Sequence, residues 1–343
     1  TMGHSVAALR LVAALCSLGV TVAGVVLCHY YSLSKKTAFM FVLFLNATLL
    51  YGIGSLLLTP DLPMLLFWSV GLVVGYRALF GGSGYDWLWL GVVSGLGMLS
   101  KYIFVLFVLG IAVVLIVDRE RRALLRTPLP WYGALCAAAV FAPNLLWNAR
   151  RGWVSFGFQL GHGFGAQGFP RFDYLGEYLG GQIGLATPFL FIGLAIAPAL
   201  LAAGRRVKGE ITYLLTMFVV PLLFFALSSL SSRVEANWPA PAYLSGLLLC
   251  ALVWDKSARK SFFRGYMVFS ALTGIAAVAL VYMHIVSPLF PLPPKYDPTA
   301  RTRGWTQWAR QIQEVREQVD PARDMPLAVN RYQEAALAGF YLP

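Results

Sequence analysis

WLWLGVVSGLGMLSKYIFVLFVLGIAVVLIV, residues 87–117, is an apolar run with a single charged side chain, Lys101. As one helix it would be about 46 Å long at 1.5 Å per residue, well beyond the roughly 30 Å hydrocarbon core of a bilayer. A break at Ser100-Lys101 would instead give two short helices that meet at the lysine. The choice between these readings decides the topology of the whole chain.

The composition predicts an α-helical membrane protein. Of the 343 residues 58% are hydrophobic and 12% are charged, whereas soluble proteins carry about 25% charged residues. Apolar stretches near 20 residues recur, but the alternating ten-residue segments of a transmembrane barrel do not. The predicted fold class is therefore an all-α polytopic membrane protein.

Ten apolar segments are predicted to cross the membrane, and charge favours the break at Lys101. With that break, thirteen Lys and Arg residues fall on one side of the membrane and five on the other, leaving the C-terminal tail aside. Because basic loops stay in the cytoplasm, the first side is expected to be cytoplasmic. Asp61, Lys101 and the tail after Ser287 then share the extracytoplasmic face. The predicted spans are residues 6–28, 38–58, 62–79, 87–99, 102–117, 130–147, 174–203, 211–230, 239–254 and 265–286.

Two domains are expected: a transmembrane domain over residues 1–286 and the beginning of an extracytoplasmic domain over residues 287–343. The tail is predicted to form an amphipathic helix, then a short strand at 326–329, then a second helix over 332–340. We therefore expect the start of a small α/β domain. The helix is indicated by apolar residues spaced by three and four: Trp305, Trp308, Ile312, Val315 and Val319.

The net charge of +12 does not predict a nucleic-acid partner, because most basic residues lie in short loops where they fix topology and meet anionic lipid headgroups. The four cysteines lack the paired spacing of a zinc or redox site. A metal-ligand cluster, a P-loop and a nucleotide-binding fingerprint are also missing from the sequence. We expect no cofactor and predict no metal ligands.

Asp61 and Lys101 are the first candidates for chemistry, because ionisable residues at membrane helices are costly unless they are paired, hydrated or bound to a ligand. Thr59-Pro60-Asp61 also fits an ordinary helix start, with a Thr cap, an early Pro and an acid that offsets the helix dipole. Alternatively, the carboxylate faces Lys101 and Arg233 and holds a substrate hydroxyl. Lys101 either reaches water along its flexible stem or binds a phosphate.

The external loop over residues 148–173 contains His162 among the five glycines of residues 157–168 and is interpreted as a flexible polar segment at the membrane surface. His162 is a candidate for binding phosphate or sugar, although a lone surface histidine often does neither. The tryptophans before it are typical of an interfacial aromatic belt.

The external loop over residues 231–239 supplies three further candidates. Arg233 either pairs with Glu235 as a weak surface bridge or contacts an anionic headgroup. Trp238 is a candidate for stacking on a sugar or an isoprenoid. Arg233, Glu235 and Trp238 are all predicted to bind substrate.

Four motifs stand out in the chain: Leu58-Thr59-Pro60-Asp61-Leu62-Pro63, Gly95-Leu96-Gly97-Met98-Leu99-Ser100-Lys101-Tyr102, Pro143 to Ser155, and Asn237-Trp238-Pro239-Ala240-Pro241-Ala242-Tyr243. Together they resemble the bacterial protein mannosyltransferase-like glycosyltransferases of the GT-C fold, relatives of the dolichyl-phosphate-mannose protein mannosyltransferases and of the lipid A aminoarabinose transferase. The resemblance implies transfer of a sugar from a polyprenyl phosphate to a lipid, glycan or protein acceptor outside the cytoplasm, in the bacterial inner membrane. It also implies that Asp61 belongs to the acidic active-site set, that Lys101 binds the carrier phosphate, and that His162 and Arg233 lie near the same cavity.

The chain departs from that family pattern at its start. The family's catalytic acid lies in the first external loop, and no acidic residue precedes Asp61 here. We therefore expect a chain truncated at both ends, with Asp61 as the remaining catalytic candidate. The alternatives are a non-catalytic relative that binds the lipid carrier and a transporter or flippase for a lipid-linked substrate.

Overall fold

The computed structural model describes residues 5–56, 59–164, 169–203, 207–256, 261–291, 293, 297, 299–319 and 325–342. Over these residues the regular structure is helical, with fifteen α-helices joined by short turns and 3-10 segments. The helices are α1 Val6–Tyr30, α2 Lys35–Asn46, α3 Leu49–Gly52, α4 Asp61–Phe80, α5 Tyr85–Ser100, α6 Val105–Val117, α7 Leu129–Arg150, α8 Val154–Phe164, α9 Phe172–Ala186, α10 Pro188–Ala202, α11 Gly209–Ser229, α12 Ala240–Lys256, α13 Ser261–Val286, α14 Trp305–Val319 and α15 Tyr332–Tyr341.

The predicted all-α, multi-pass membrane class is confirmed. Five of the described helices are long and apolar enough to cross a bilayer, and the number rises to six if α9 and α10 count as one broken span. The remaining predicted spans contain helices of 12 to 17 residues, namely α2, α5, α6 and α12. The total of ten spans stays a prediction.

The chain breaks at Lys101, as predicted. α5 ends at Ser100, Lys101 is extended with φ −160° and ψ 132°, and a 3-10 turn over Tyr102–Phe104 leads into α6. The ring of Phe104 occupies the space beside Gly97 that a side chain there would need. Helices α5 and α6 are therefore separate elements that meet at the lysine.

The single span predicted over 174–203 is wrong as one helix. α9 and α10 meet at Thr187 with a bend of 101°, and Thr187 has a φ of +66°. Pro188 accounts for the break, because a proline lacks an N–H donor and keeps the preceding residue out of the helical conformation.

Small residues on α5 bring α7 close. A side chain at Gly91 would collide with the backbone oxygen of Gly133, and one at Gly95 would lie 2.5 Å from Cβ of Val140. In lipid, close backbone approach of this kind is a main source of helix–helix attraction. Helix α12 is enclosed by the rest of the protein, since its residues Ala240 to Trp254 are all buried.

The helix ends form two groups within the unit Leu9–Val278. In one group, Tyr31 donates to the backbone oxygen of Glu210 at 2.8 Å, and Thr37 donates to Asp255. The other group contains Asp61 and Lys101. The basic residues predicted for loops at 205–206 and 259–260 lie outside the described residues.

The second compact unit comprises Thr1–Ala8 and Ala279–Pro343. Its described residues include α14, α15 and a polar cluster around Asp297. The strand predicted at 326–329 is not observed, because these described residues form irregular backbone rather than a ladder. The α/β character predicted for the tail is therefore not confirmed. The predicted boundary after residue 286 stays a prediction.

Candidate functional site

An ion pair joins the two charged residues singled out in the sequence. Nζ of Lys101 donates to Oδ1 of Asp61, although the two residues are 40 positions apart. The lysine follows the last residue of α5 and the aspartate opens α4, so the antiparallel packing of these helices brings them together. Their side chains are 24% and 18% exposed, which leaves the pair within reach of a ligand.

The start of α4 differs in detail from the predicted helix cap. Pro60 holds the capping position, where no side chain makes a capping hydrogen bond. The hydroxyl of Thr59 instead donates to Oδ2 of Asp61 at 3.4 Å. Asp61 lies in the first turn, where its charge is favoured by the helix dipole.

Asn237 is the third member of the site, and sequence reasoning missed its role. Its side-chain Nδ2 donates to Oδ2 of Asp61 at 3.2 Å. Asn237 stands in the motif Asn237–Tyr243, so the residue was visible in the sequence. Its contact with the carboxylate of Asp61, 176 positions away, could not be predicted from the sequence.

The two oxygens of the Asp61 carboxylate have different partners. Oδ1 receives the lysine, whereas Oδ2 receives the neutral donors Asn237 and Thr59. An ammonium has three N–H donors, so Lys101 can bind an anion while it remains paired with Asp61. A partly exposed ion pair contributes little to the free energy of unfolding. A role in binding or chemistry therefore accounts for this pair better than a role in stability.

The loop over 231–239 places its predicted site residues differently. Arg233 pairs with Glu177 of α9 at 2.9 Å, so the predicted alternative of an Arg233–Glu235 bridge is wrong. Glu235 is exposed, and the half-buried Trp238 lies against Phe225 with ring centroids 5.8 Å apart. Arg233 is 71% exposed and stays accessible to an anionic group.

The loop predicted over 148–173 is partly helical, since residues 154–164 form α8. Its glycines lower helix propensity, and this hid the helix in the sequence. His162 lies within α8, but its side chain is outside the described residues, as is all of Gln167. The structure therefore leaves the predicted role of His162 as a prediction.

A polar network around the buried Asn148 fixes the turn between α7 and α8 beside Lys101. Asn148 donates to Oδ1 of Asn144 at 3.0 Å, and its own oxygen accepts from the backbone N–H of Ser155 at 3.1 Å. Tyr102, the residue after Lys101, donates to the same oxygen of Asn144 at 3.1 Å and stacks on Phe156. The network ties the backbone next to the lysine to two further helices.

The site is poor in metal ligands. Among the described residues, no group of three or more His, Cys, Asp or Glu side chains is placed to hold a metal ion. Asp61 is the carboxylate in direct contact with Lys101, and the other donors around it are neutral. The arrangement suits the binding of an anionic group by an ammonium, next to a carboxylate that can accept a proton.

Comparison with known protein families agrees with the resemblance. Residues 1–147, which include both Asp61 and Lys101, match the family model described as dolichyl-phosphate-mannose-protein mannosyltransferase. A lipid A galacturonosyltransferase of Rhizobium johnstonii is 25% identical over 230 residues, covering 61% of this chain and 45% of that protein. An undecaprenyl phosphate-alpha-4-amino-4-deoxy-L-arabinose arabinosyl transferase of Sodalis glossinidius is 30% identical over 201 residues, covering 54% of this chain and 35% of that protein.

A solved structure shares the fold. The crystal structure of ArnT from Cupriavidus metallidurans bound to undecaprenyl phosphate matches with a TM-score of 0.61 and 16% identity, over 97% of this chain and 61% of that one. The predicted resemblance to GT-C glycosyltransferases and the predicted helical membrane fold are confirmed. The chain spans less than half the length of the two curated relatives described above.

Proposed function

We propose that this chain forms the membrane-embedded part of a glycosyltransferase that moves a sugar from a polyprenyl phosphate to a lipid, glycan or protein acceptor. The observation that carries the proposal is the Asp61–Lys101 pair, completed by Asn237, at the helix ends of a fold shared with ArnT. Two relatives whose names include lipid A or an undecaprenyl-phosphate sugar support the same class of substrates.

In the proposed reaction, an acceptor hydroxyl attacks the anomeric carbon of the donor sugar. A new carbon–oxygen bond forms to the acceptor, the bond from the anomeric carbon to the phosphate oxygen breaks, and the lipid phosphate leaves with the electron pair. Negative charge grows on that leaving group. We assign the stabilisation of this charge to Lys101, with Arg233 as a second cation on the loop over 231–239.

The hydroxyl proton must go to a base as the new bond forms. Asp61 is the proposed acceptor of this proton, or the group that orients the hydroxyl toward the sugar. Asn237 and Thr59 hold its Oδ2 while Lys101 occupies Oδ1, so the carboxylate is fixed in direction. Glu235, Trp238 and His162 are proposed to contact the substrate around this centre.

The proposed location is the bacterial cytoplasmic membrane, with the active face outside the cytoplasm. The excess of basic residues in the loops on the opposite side supports this orientation. A lipid-linked donor fits such a face, where a nucleotide-sugar pool is lacking. The sequence accordingly carries no nucleotide-binding motif.

The test uses the full chain in lipid nanodiscs with undecaprenyl phosphate as the first probe. We expect saturable binding that weakens about tenfold or more in Lys101→Ala but not in Lys35→Ala, a lysine from the other group of helix ends. With an undecaprenyl-phosphate-linked sugar and lipid A as acceptor, Asp61→Asn should lower transfer about 100-fold while binding persists.

Three outcomes would count against the proposal. Absence of binding, or equal binding by Lys101→Ala, would overturn the role of the lysine. Binding without transfer for any of a panel of sugar donors and acceptors would instead identify a non-catalytic carrier-binding relative. Movement of the intact lipid-linked sugar across the bilayer would identify a flippase.

A further inference from the structure

The loop that carries Asn237 is attached to α9 through one buried amide. Nε2 of Gln182 donates to the backbone oxygen of Ala236 at 3.0 Å. The next residue along the loop, Asn237, donates to Asp61 at 3.2 Å. Gln182 is 1% exposed, so water does not replace this bond. The position of Asn237 therefore depends on Gln182.

Gln182 is itself held in a single orientation by α12. The hydroxyl of Tyr243, also buried, donates to Oε1 of Gln182 at 2.8 Å. A backbone oxygen only accepts hydrogen bonds, so the amide must direct Nε2 to Ala236 and Oε1 to Tyr243. Hydrogen bonds thus link Tyr243 to Gln182 and Gln182 to the backbone of Ala236. The next residue in the chain, Asn237, continues this connection through its hydrogen bond to Asp61.

Two further contacts bind the same loop to α9. A side chain at Gly181 would lie 2.7 Å from Cβ of Ala236, so helix and loop are in close contact at the residue before Asn237. One helical turn earlier, Glu177 pairs with Arg233. The buried Gln182 bond lies at the inner end of this surface, and the exposed ion pair lies at its rim.

We propose that Gln182 is a positioning residue for sugar transfer, acting through Asn237 on the carboxylate of Asp61. This inference rests on the proposed function. It predicts that loss of the Gln182 amide lets Asn237 move, and that Asp61 then loses one of the two donors to its Oδ2. Because Lys101 binds the other oxygen, donor binding should change less than turnover.

A double-mutant cycle tests the proposal in the full chain in nanodiscs. We expect Gln182→Met to lower kcat about tenfold, with the KM for the lipid-linked donor within about twofold of the unmodified chain. Since both residues act on Asp61 along one series of bonds, adding Gln182→Met to Asn237→Ala should give no further loss. Tyr243→Phe, which leaves the Gln182–Ala236 bond intact, should have a smaller effect.

Tyr213→Phe is the matched control for a buried hydrogen bond remote from the site. Tyr213 is fully buried and donates to the backbone oxygen of Leu72 at 3.0 Å, about three helical turns along α4 from Asp61. It should lower thermal stability to an extent similar to Tyr243→Phe without changing kcat. Additive losses in the Gln182–Asn237 cycle, or a kcat for Gln182→Met equal to that of the unmodified chain, would overturn the positioning role.

Hydrogen exchange of the loop peptide over 231–239 gives a readout that needs no turnover. We expect faster exchange in Gln182→Met and unchanged exchange in Tyr213→Phe. Faster exchange together with an unchanged kcat would show a merely structural role and reject the inference. Failure of the proposed function itself is recognised separately, because the unmodified chain would then neither bind undecaprenyl phosphate nor transfer sugar.

Discussion

Lys101 and Asp61 form their ion pair at the point where the end of α5 meets the start of α4. Such a pair has two explanations that are easily confused. It either helps to hold the two helices together or keeps an ammonium and a carboxylate in a fixed arrangement for a substrate. The two explanations differ in what happens when the charges exchange places.

Exchanging the residues, as Asp61→Lys with Lys101→Asp, should preserve folding and abolish transfer. An ion pair of either polarity can join the helices, whereas the phosphate and the acceptor hydroxyl each require one particular group. We expect thermal unfolding close to that of the unmodified chain and transfer lowered at least about 100-fold. Recovery of transfer in the exchanged variant, relative to Lys101→Asp alone, would show that the pair is structural.

Gly181→Ala should impair transfer, while Gly180→Ala should not. The two glycines are neighbours on α9, but an added Cβ lies 2.7 Å from Ala236 at Gly181 and meets nothing within 4 Å at Gly180. Alanine favours helix by up to about 1 kcal/mol over glycine, so Gly180→Ala should be neutral or stabilising. Gly181→Ala keeps every hydrogen-bonding group and displaces only the loop that carries Asn237.

Kinetics of the two variants side by side provide the measurement. A severalfold fall in kcat for Gly181→Ala alone is expected. Equal kcat values would mean that the loop moves without consequence for the carboxylate of Asp61.

Asn148→Ala should destabilise the protein by about 1–3 kcal/mol, because it removes the hydrogen bonds of a fully buried amide to Asn144 and leaves the backbone N–H of Ser155 without its acceptor. Asn46→Ala is a matched control, since Asn46 is exposed and bonds only locally to the backbone of Val42. Thermal unfolding in detergent, read by loss of helical circular dichroism, should separate them clearly. Similar midpoints would show that water fills the space left by Asn148.

The break at Lys101 could be predicted from the sequence, because it places thirteen basic loop residues on one side of the membrane and five on the other. Signals of this kind need no knowledge of which helices pack together. The bend at Thr187 also has a local signal, because Pro188 restricts the backbone of the residue before it. This signal was overlooked because the apolar segment is long enough to suggest one unbroken span.

Contacts between distant parts of the chain could not be predicted in this way. Asn237 meets Asp61, and Arg233 meets Glu177 rather than Glu235, because α9 packs beside the loop after α11. Nothing in the spacing of these residues encodes that packing. The tail gives a second example of this limit. Residues 326–329 have a strand-like composition, but a strand also needs a neighbouring strand to pair with.

Asp297 gives the tail unit a dependence on pH that can be measured. The hydroxyl of Thr299, its backbone N–H and the charges of Arg303 and His284 lower the pKa of Asp297 below its ordinary value. A carboxyl with a lowered pKa contributes stability above its unfolded pKa and loses it as the pH falls through its folded pKa. Hydrogen exchange over residues 297–303 should therefore stay slow at neutral pH and accelerate in acid, below the usual range of an aspartate.

Asp297→Asn should exchange fast at neutral pH as well, because the amide carries no charge for Arg303, which donates to Asp297 at 2.5 Å. The control is Glu314→Gln on the exposed face of α14, which should leave the profile of the 297–303 peptide unchanged. If exchange in Asp297→Asn is slow at pH 7 and still accelerates in acid, another group governs the transition. Slow, pH-independent exchange in both proteins would show that hydrogen bonds to the aspartate, and not its charge, stabilise this part of the tail.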